Sequence, residues 1–280
     1  MSLLRAACIQ MRSTPDVAPN IAASAALIRT AVDQGATFVA TPEMTNILDI
    51  RPGQARTRIA LESDDACLSA LRDLASELRI TLLIGSLAIA LPDDDRFANR
   101  SYLIGPEGEI LGRYDKIHMF DVDVGDGQAY RESNAYRAGL CATLADTPAG
   151  QVGMTICYDV RFPQLYRSLG QAGAEVITIP AAFTQVTGKA HWHVLVRARA
   201  IETGCFILAP AQGGQHEDGR ETFGHSLIVS PWGEILAEAA HDTPGIIVAD
   251  LDLAEVTRAR ARIPALTNDQ KFSVNSAPKP

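Results

Sequence analysis

The chain has 280 residues, of which 47% are hydrophobic and 21% charged, a composition typical of soluble globular proteins. A formal net charge of −8 excludes the basic surface on which nucleic-acid binding depends, so we expect no nucleic-acid partner. No stretch approaches the roughly 18 consecutive apolar residues of a membrane span, and the N-terminus lacks the pattern of a signal peptide, so we expect no membrane partner.

Hydrophobic periodicity predicts alternating strands and helices in the first part of the chain. Leu68, Leu71 and Leu78 fall on one face of an amphipathic helix, for example. The predicted elements are a strand at 3–11, a helix at 16–34, a strand at 37–41, a helix at 64–79, a strand at 80–90 and a hairpin at 100–116. Residues 118–138, rich in glycine and aspartate, are predicted to form a long functional loop.

The same alternation continues in the second part. The predicted elements are a hairpin at 141–158, helices at 164–172 and 189–203, strands at 175–180 and 205–211, a hairpin at 224–237, a strand at 246–251, a helix at 253–262 and a polar tail from 264 to 280. No linker of biased composition separates the two parts, so we predict one domain over 1–280.

The two parts also resemble each other in sequence. Residues 101–111 (SYLIGPEGEIL) align with residues 226–236 (SLIVSPWGEIL) at a constant offset of 125. The repeat predicts an α/β fold of two pseudo-symmetric halves, in which two stacked sheets carry helices on their outer faces. The alternative is that two hairpins with similar Pro-x-Gly turns look alike by chance.

Cysteine usage indicates the compartment. The chain has five cysteines, an odd number, and they are scattered without a Cys-x-x-Cys pair: Cys8, Cys67, Cys141, Cys157 and Cys205. This pattern argues against a disulfide framework or a zinc site, so we expect no metal, and it favours a reducing compartment such as the cytoplasm.

One cysteine stands apart, because an apolar strand stops at Cys157 just before a helical pattern. A thiol at such a turn borders unpaired amide groups that favour a thiolate, although a buried and inert thiol is the plainer interpretation. Glu43, at a strand end, and Lys116, at a hairpin end, are candidate partners, and so is Glu132. Each of the three could equally be an ordinary surface charge. His118 offers a Cys/His alternative of the papain type.

Together these residues resemble the nitrilase (carbon–nitrogen hydrolase) superfamily, in which a Glu–Lys–Cys triad occupies the ends of strands. Glu132 matches a second glutamate of the family. The matching motifs are 41–43 (TPE), 114–118 (YDKIH), 156–163 (ICYDVRFP), 190–192 (AHW), 197–202 (RARAIE) and 224–226 (GHS). The resemblance covers nearly the whole chain and implies a four-layer α-β-β-α sandwich, assembly into a homodimer or larger homo-oligomer, and no cofactor.

The resemblance also implies a mechanism. Cys157 would be the nucleophile, and Glu43 the base, with a pKa raised toward neutrality by enclosure. Lys116 and the backbone N–H of Tyr158 would stabilise the oxyanion, while Glu132 would hold Lys116. Ammonia would leave a terminal carboxamide of a small molecule, and water would hydrolyse the thioester on Cys157.

Two amidase branches of the superfamily compete for the substrate. The segments around Phe183 and Thr187, two predicted substrate contacts, favour amidases of deaminated glutathione. The segment 120–123 is similar to ω-amidases, which act on the α-keto analogues of glutamine and asparagine. Lys189 and the pair Val124-Gly125 depart from the pattern, in loops expected to border the substrate. A nitrilase proper is a further alternative, and a thiol-bearing binding or redox-sensing module is the alternative from a different class.

Overall fold

Two six-stranded sheets form the framework of the computed structural model, which describes residues 3–49, 51, 53–123 and 129–275. The first sheet has the strand order β16-β1-β2-β3-β4-β5. Its strands are β1 (Leu4–Gln10), β2 (Phe38–Ala40), β3 (Thr81–Leu91), β4 (Asp94–Ile104), β5 (Ile110–Asp115) and β16 (Gly245–Leu251). The predicted departure at Val124 and Gly125 lies outside the described residues, as do residues 276–280 of the predicted tail.

The second sheet has the order β15-β14-β11-β10-β9-β8. Its strands are β8 (Thr143–Thr147), β9 (Gly150–Met154), β10 (Val176–Thr178), β11 (Phe206–Ala209), β14 (Leu227–Val229) and β15 (Ile235–Glu238). Two small ribbons pair β6 (Asp121–Asp123) with β7 (Ala129–Arg131), and β12 (Gly213–Gln215) with β13 (Glu221–Phe223).

Helices cover the outer faces of the sheets. They are α1 (Val17–Asp33), α2 (Ala66–Leu78), α3 (Pro163–Gln171), α4 (Gln185–Thr203) and α5 (Ala254–Arg262). Apolar side chains of α1 and α2 share a core with the first sheet, and those of α3 and α4 share one with the second. Within the described ranges, no helix combines the length and the apolar character needed to cross a membrane.

Side-chain alternation along β1 shows how the layers stack. Ala7 and Ile9 join the core under α1 and α2, whereas Ala6 and Cys8 point the other way, into the core shared with the second sheet. The Cys8 thiol reaches the carbonyl oxygen of Leu227 in β14 at 3.7 Å. Because both faces of the sheet are covered, its central strand β3 is almost entirely apolar, as its sequence indicated. The predicted α-β-β-α sandwich is therefore confirmed.

The internal repeat is confirmed at the level of strand register. In each half, three parallel strands are followed by two antiparallel ones, β1-β2-β3-β4-β5 and β9-β10-β11-β14-β15. Leu82 of β3 pairs with Ile104 of β4, and Ile207 of β11 pairs with Val229 of β14. Leu82 and Ile207 are 125 residues apart, and so are Ile104 and Val229. The similarity of the two hairpins therefore reflects the repeated architecture and not chance.

Three parts of the predicted element map are wrong. The first strand of the hairpin predicted at 100–116 begins earlier, at Asp94, as β4, because β3 and β4 form one long hairpin. The loop predicted at 118–138 contains the β6–β7 ribbon. Helix α4 begins at Gln185, where the Thr184 hydroxyl caps it by accepting from the Thr187 amide. Lys189 consequently lies exposed inside a helix, not in a loop.

Candidate active site

The turn after β2 places Glu43 at the carboxyl end of the first sheet. Met44, the next residue, has a left-handed backbone (φ 57°), and its amide donates to the Ser86 hydroxyl at 2.9 Å. Gly85 lets β3 pass close beneath this turn, because a Cβ there would lie 2.0 Å from the carbonyl oxygen of Thr41. The Glu43 side chain is thereby fixed on a rigid frame and is only 4% exposed.

Cys157 opens a short 3₁₀ helix, Cys157–Arg161, that follows β9. Its backbone is left-handed (φ 48°), which is uncommon for a residue with a Cβ, and its amide donates to the carbonyl of Pro180 at 2.9 Å. Such strain persists only where the surroundings enforce it, and it concentrates at functional sites. The predicted strand-to-helix turn is therefore present, and Cys157 is 7% exposed.

Asp159 ties this turn to the end of β5. Its buried carboxylate accepts from the Ile156 amide at 2.9 Å and from the Tyr114 hydroxyl at 2.7 Å, and it lies 2.7 Å from Nδ1 of His118. The His118 ring also stacks on Phe162, with centroids 3.5 Å apart. His118 is thus a partner of Asp159 and not of the thiol, which removes the basis of the papain-type alternative.

Lys116 lies between two carboxylates. Its Nζ lies 2.9 Å from Oε1 of Glu43, and 3.0 and 2.9 Å from Oε1 and Oε2 of Glu132. Glu132 is held in turn by the amide of Phe120 at 2.7 Å. The lysine is 2% exposed, so the structure brings three of the sequence-predicted residues into one buried ionic cluster.

Asn99, which the sequence did not single out, joins the two carboxylates. Its Nδ2 donates to Oε1 of Glu43 at 2.9 Å and to Oε1 of Glu132 at 3.1 Å. Its Oδ1 is buried and has no hydrogen-bond partner among the described residues. The available sign was a polar residue next to the apolar Phe97 and Ala98, but the strand was predicted to begin after Asn99. Asn99 holds both carboxylates in register with Lys116.

The cluster sets the resting protonation states. Burial alone would raise the pKa of Glu43, but the Lys116 charge and the hydrogen bonds to the carboxylate hold it below its ordinary value. Burial alone would lower the pKa of Lys116, but the charges of Glu132 and Glu43 raise it well above the usual range. The expectation that enclosure raises the pKa of Glu43 is therefore wrong, because an ammonium ion lies in contact with the carboxylate.

The thiol responds in the opposite sense. Burial and the negative charge of Glu43 raise the pKa of Cys157 well above its ordinary value, although Lys116 works against them. Cys157 is thus a neutral thiol in the resting protein, and the ionised carboxylate of Glu43 is available as its proton acceptor. A binding or redox-sensing module would leave this juxtaposition of both charges with the thiol unexplained.

A cavity of about 600 Å³ opens onto the cluster, within the range of small-molecule sites. Cys157, Glu43, Lys116 and Glu132 all line it. The predicted substrate contacts Phe183 and Thr187 line it as well, and so does Tyr158, whose backbone N–H was predicted to stabilise the oxyanion. Lys189 does not, so that departure from the family pattern lies away from the cavity.

The cavity carries more positive charge than the chain as a whole. Five basic and three acidic side chains line it among the described residues, in a protein of net charge −8. The basic ones are Arg51, Arg56, Lys116, Arg131 and Arg220. Arg220 is distinctive, because its Nε is buried without a hydrogen-bond partner among the described residues. This cavity is suited to an anionic ligand.

Comparison with known proteins places these features in context. A family model described as carbon-nitrogen hydrolase matches residues 5–261. A protein of Synechocystis sp. named deaminated glutathione amidase is 40% identical over 264 residues, covering 93% of this chain and 96% of that protein.

Solved structures resemble the chain over nearly its whole length. The C. elegans NitFhit protein superposes with a TM-score of 0.89 at 32% identity, over 96% of this chain but only 66% of that one. Saccharomyces cerevisiae Nit3, described as a member of branch 10 of the nitrilase superfamily, has a TM-score of 0.86 at 29% identity and is covered over 97% of its length.

Proposed function

Because the chain belongs to the carbon–nitrogen hydrolase family and acts on carbon–nitrogen bonds other than peptide bonds, we propose that it hydrolyses the γ-amide of deaminated glutathione through Cys157. The observation that carries the proposal is that a neutral thiol and an ionised, lysine-paired carboxylate line the same cation-rich cavity. The named substrate of the Synechocystis relative supports the choice among amides.

The first half of the reaction forms a thioester. Glu43 takes the thiol proton as sulfur attacks the amide carbonyl, so the nucleophile exists as thiolate only while it reacts. The developing oxyanion lies beside Lys116 and the Tyr158 N–H, which belongs to the first turn of a helix, where amide groups lack intrahelical acceptors. Such donors typically contribute about 2.7–4 kcal/mol each to transition-state stabilisation. Glu43 then returns the proton to the leaving nitrogen as the C–N bond breaks.

The second half restores the enzyme. A water molecule loses a proton to Glu43 and attacks the thioester carbonyl, and the C–S bond breaks to give a carboxylic acid. The proton on Glu43 returns to the Cys157 sulfur. Lys116 stays charged throughout because Glu132 contacts it with both oxygens, so the ammonium retains a counter-ion while Glu43 is protonated.

The leaving group depends on the substrate. A terminal carboxamide releases ammonia, which suits the keto analogues of glutamine and asparagine. Deaminated glutathione instead joins its keto-acid carbon chain to cysteinylglycine through a secondary amide, so the leaving group is the amine of that dipeptide. The ammonia expected from the sequence therefore applies to the ω-amidase and nitrilase alternatives, and not to deaminated glutathione.

Charge favours the larger substrate. Deaminated glutathione has a carboxylate at each end and is therefore a dianion. A cavity in which basic side chains outnumber acidic ones attracts such a dianion more strongly than it attracts a neutral amide. Arg220, with its unpartnered Nε, is our candidate for one of these carboxylates. The side chains of Phe183 and Thr187 would contact the carbon chain between the ends.

The test compares deaminated glutathione, α-ketoglutaramate and a simple aliphatic nitrile as substrates of the purified protein. Release of 2-oxoglutarate, cysteinylglycine and ammonia would be measured separately. We expect the highest kcat/KM for deaminated glutathione, with equal amounts of 2-oxoglutarate and cysteinylglycine. The activity should survive in Cys141→Ala, whose thiol is exposed, and disappear in Cys157→Ala. Preference for α-ketoglutaramate would overturn the substrate, and activity in folded Cys157→Ala would overturn the nucleophile.

A further inference from the structure

A second group of ionisable side chains lies outside the cavity, on three separate elements. His193 is on α4, His225 lies between β13 and β14, and Glu238 ends β15. Oε1 of Glu238 lies 2.9 Å from Nε2 of His193 and 3.1 Å from Nδ1 of His225. The three side chains are partly exposed, so solvent reaches the group.

The His225 ring is held in place by its surroundings. The Phe223 ring stacks on His225 with centroids 4.2 Å apart and planes inclined by 19°. The indole Nε1 of Trp192 donates to the carbonyl oxygen of His225 at 2.7 Å. His225 also has a left-handed backbone (φ 54°), a strained conformation for a residue with a Cβ. The arrangement is thus built in advance of any ligand.

The distances fit a small divalent ion. One ligand atom from each residue lies within 4.8 Å of the other two. Zinc–ligand bonds of about 2.0–2.1 Å in a tetrahedral site place neighbouring ligand atoms about 3.4 Å apart. The observed separations require only small side-chain shifts to reach that spacing.

We propose that His193, His225 and Glu238 form a binding site for one divalent transition-metal ion of the zinc type. Two imidazoles and a carboxylate suit zinc or cobalt, whereas magnesium and calcium prefer oxygen ligands alone. Water would complete the coordination from the solvent side. Binding uses the lone pairs of Nε2 of His193 and Nδ1 of His225, so each ring carries its proton on the other nitrogen in the metal-bound form. The cysteine pattern could not reveal such a site, because it contains no cysteine.

The site would stabilise one wall of the cavity. The amide of Phe223 donates to the carbonyl of Phe183 at 2.9 Å, and Phe183 packs on Trp192 with centroids 4.8 Å apart. An ion joining α4 to the hairpin β14–β15 would therefore fix the segment that positions Phe183. The expected effect is a higher unfolding temperature when metal is present, since a ligand that binds only the folded state stabilises it. The ion takes no part in the proposed chemistry.

Cobalt(II) is the probe that tests the site. The protein would first be treated with EDTA and then titrated with Co²⁺ in a Cys157→Ala background, which removes the reactive thiol as a competing ligand. We expect one Co²⁺ per chain, with visible absorption of nitrogen and oxygen ligation and without the thiolate-to-cobalt band. Thermal unfolding with and without Zn²⁺ gives a second readout that does not depend on activity.

Variants of two of the three proposed ligands decide the outcome. Glu238→Gln and His193→Gln should each weaken Co²⁺ binding by roughly 100-fold or more and remove the thermal shift. His191→Gln, an exposed position on the same helix, is the matched control and should bind as the parent does. Glu238→His supplies a replacement ligand and should retain binding, which separates lost ligation from lost structure. Absence of Co²⁺ binding in the parent, or unchanged Co²⁺ binding in both Glu238→Gln and His193→Gln, would overturn the site. Glu238 would then be only a hydrogen-bond partner of the two histidines.

Discussion

The Nζ atom of Lys116 lies 2.9 Å from Oε1 of Glu43, in a place where neither side chain is more than 6% exposed. Burying an ion pair costs free energy, because both charges lose their hydration. Removing one partner costs more, because the remaining charge then stays buried without an opposite charge. Glu132 adds a second negative charge to the same ammonium ion. The ionisation of Glu43, and with it the proposed base catalysis, therefore depends on Lys116.

Replacing Lys116 with methionine keeps the length of the side chain and removes its charge. Two carboxylates would then lie close together without a cation, so we expect the free energy of unfolding to fall by about 3–5 kcal/mol. Activity should be lost as well. Urea denaturation measures the first effect, and Lys189→Met, at an exposed position, is the control. A stable variant with normal turnover would contradict the assigned role of Lys116.

Asn99 offers a nearly isosteric test of the same cluster. Asn99→Asp replaces a donor to Glu43 and Glu132 with a third carboxylate, and like charges at these distances repel. We expect kcat/KM to fall by about 100-fold and the free energy of unfolding to fall by about 2–3 kcal/mol. Asn268→Asp, exposed in the C-terminal segment, should behave as the wild type. Unchanged kinetics in Asn99→Asp would show that the two carboxylates do not need this amide.

The buried thiol predicts a specific alkaline behaviour. The pKa of Cys157 is raised in the folded chain, so its contribution to stability is complete below the ordinary value near 9.0 and is lost as the pH rises beyond it. One such group changes the unfolding free energy by up to about 1.4 kcal/mol per pH unit. Cys157→Ala should therefore lose stability less steeply than the wild type between pH 8 and about pH 10.

Urea denaturation at several pH values, with a reductant present, measures that difference. Cys8 and Cys67 are also buried thiols with raised pKa values, so the wild-type slope contains more than one contribution and only the difference between variants is informative. Cys141→Ala, whose thiol is exposed, is the matched control. Parallel curves for the wild type and Cys157→Ala would contradict a neutral resting thiol.

Arg220 is predicted to act in binding. Arg220→Gln removes the guanidinium with the unpartnered Nε, and a hydrogen bond to a charged group contributes about 1.5–3 kcal/mol. We expect KM for deaminated glutathione to rise about 10- to 100-fold while kcat changes less than about threefold. Arg258→Gln, on the exposed face of α5, should leave both constants unchanged. A fall in kcat at constant KM would instead place Arg220 in the chemical step.

Strand positions and the repeat were predictable because apolar periodicity and the 125-residue echo are local properties of the sequence. Glu43, Lys116 and Cys157 were predictable as site residues because they stand in recognisable motifs, and Glu132 was predictable from its match to a second glutamate of the family. Asn99 escaped notice because its strand continues through Asp94 and Asp95, which resemble a loop in composition. The start of α4 was missed because Thr184, Thr187 and Gly188 have low helix propensity, and the Thr184 cap compensates for them.

The electrostatics of Glu43 could not be predicted from sequence. Burial and ion pairing shift the pKa of a carboxyl group in opposite directions, and only the 2.9 Å separation from Lys116 shows that pairing prevails. The role of Asp159 was hidden for a similar reason, since two of its three partners, Tyr114 and His118, lie about 40 residues earlier in the chain. The single domain, the homo-oligomer and the cytoplasmic location stay predictions.

Trapping the covalent intermediate tests the central claim most directly. The wild type and Cys157→Ser would be mixed with deaminated glutathione, quenched in acid within milliseconds to seconds, and digested for mass spectrometry. We predict that the wild-type peptide containing Cys157 gains the mass of the keto-acyl group as a thioester that alkaline hydroxylamine removes, and that Cys157→Ser gains no thioester. Steady turnover by the folded wild type with no acyl group on Cys157 at any quench time, together with turnover by folded Cys157→Ala, would contradict the account.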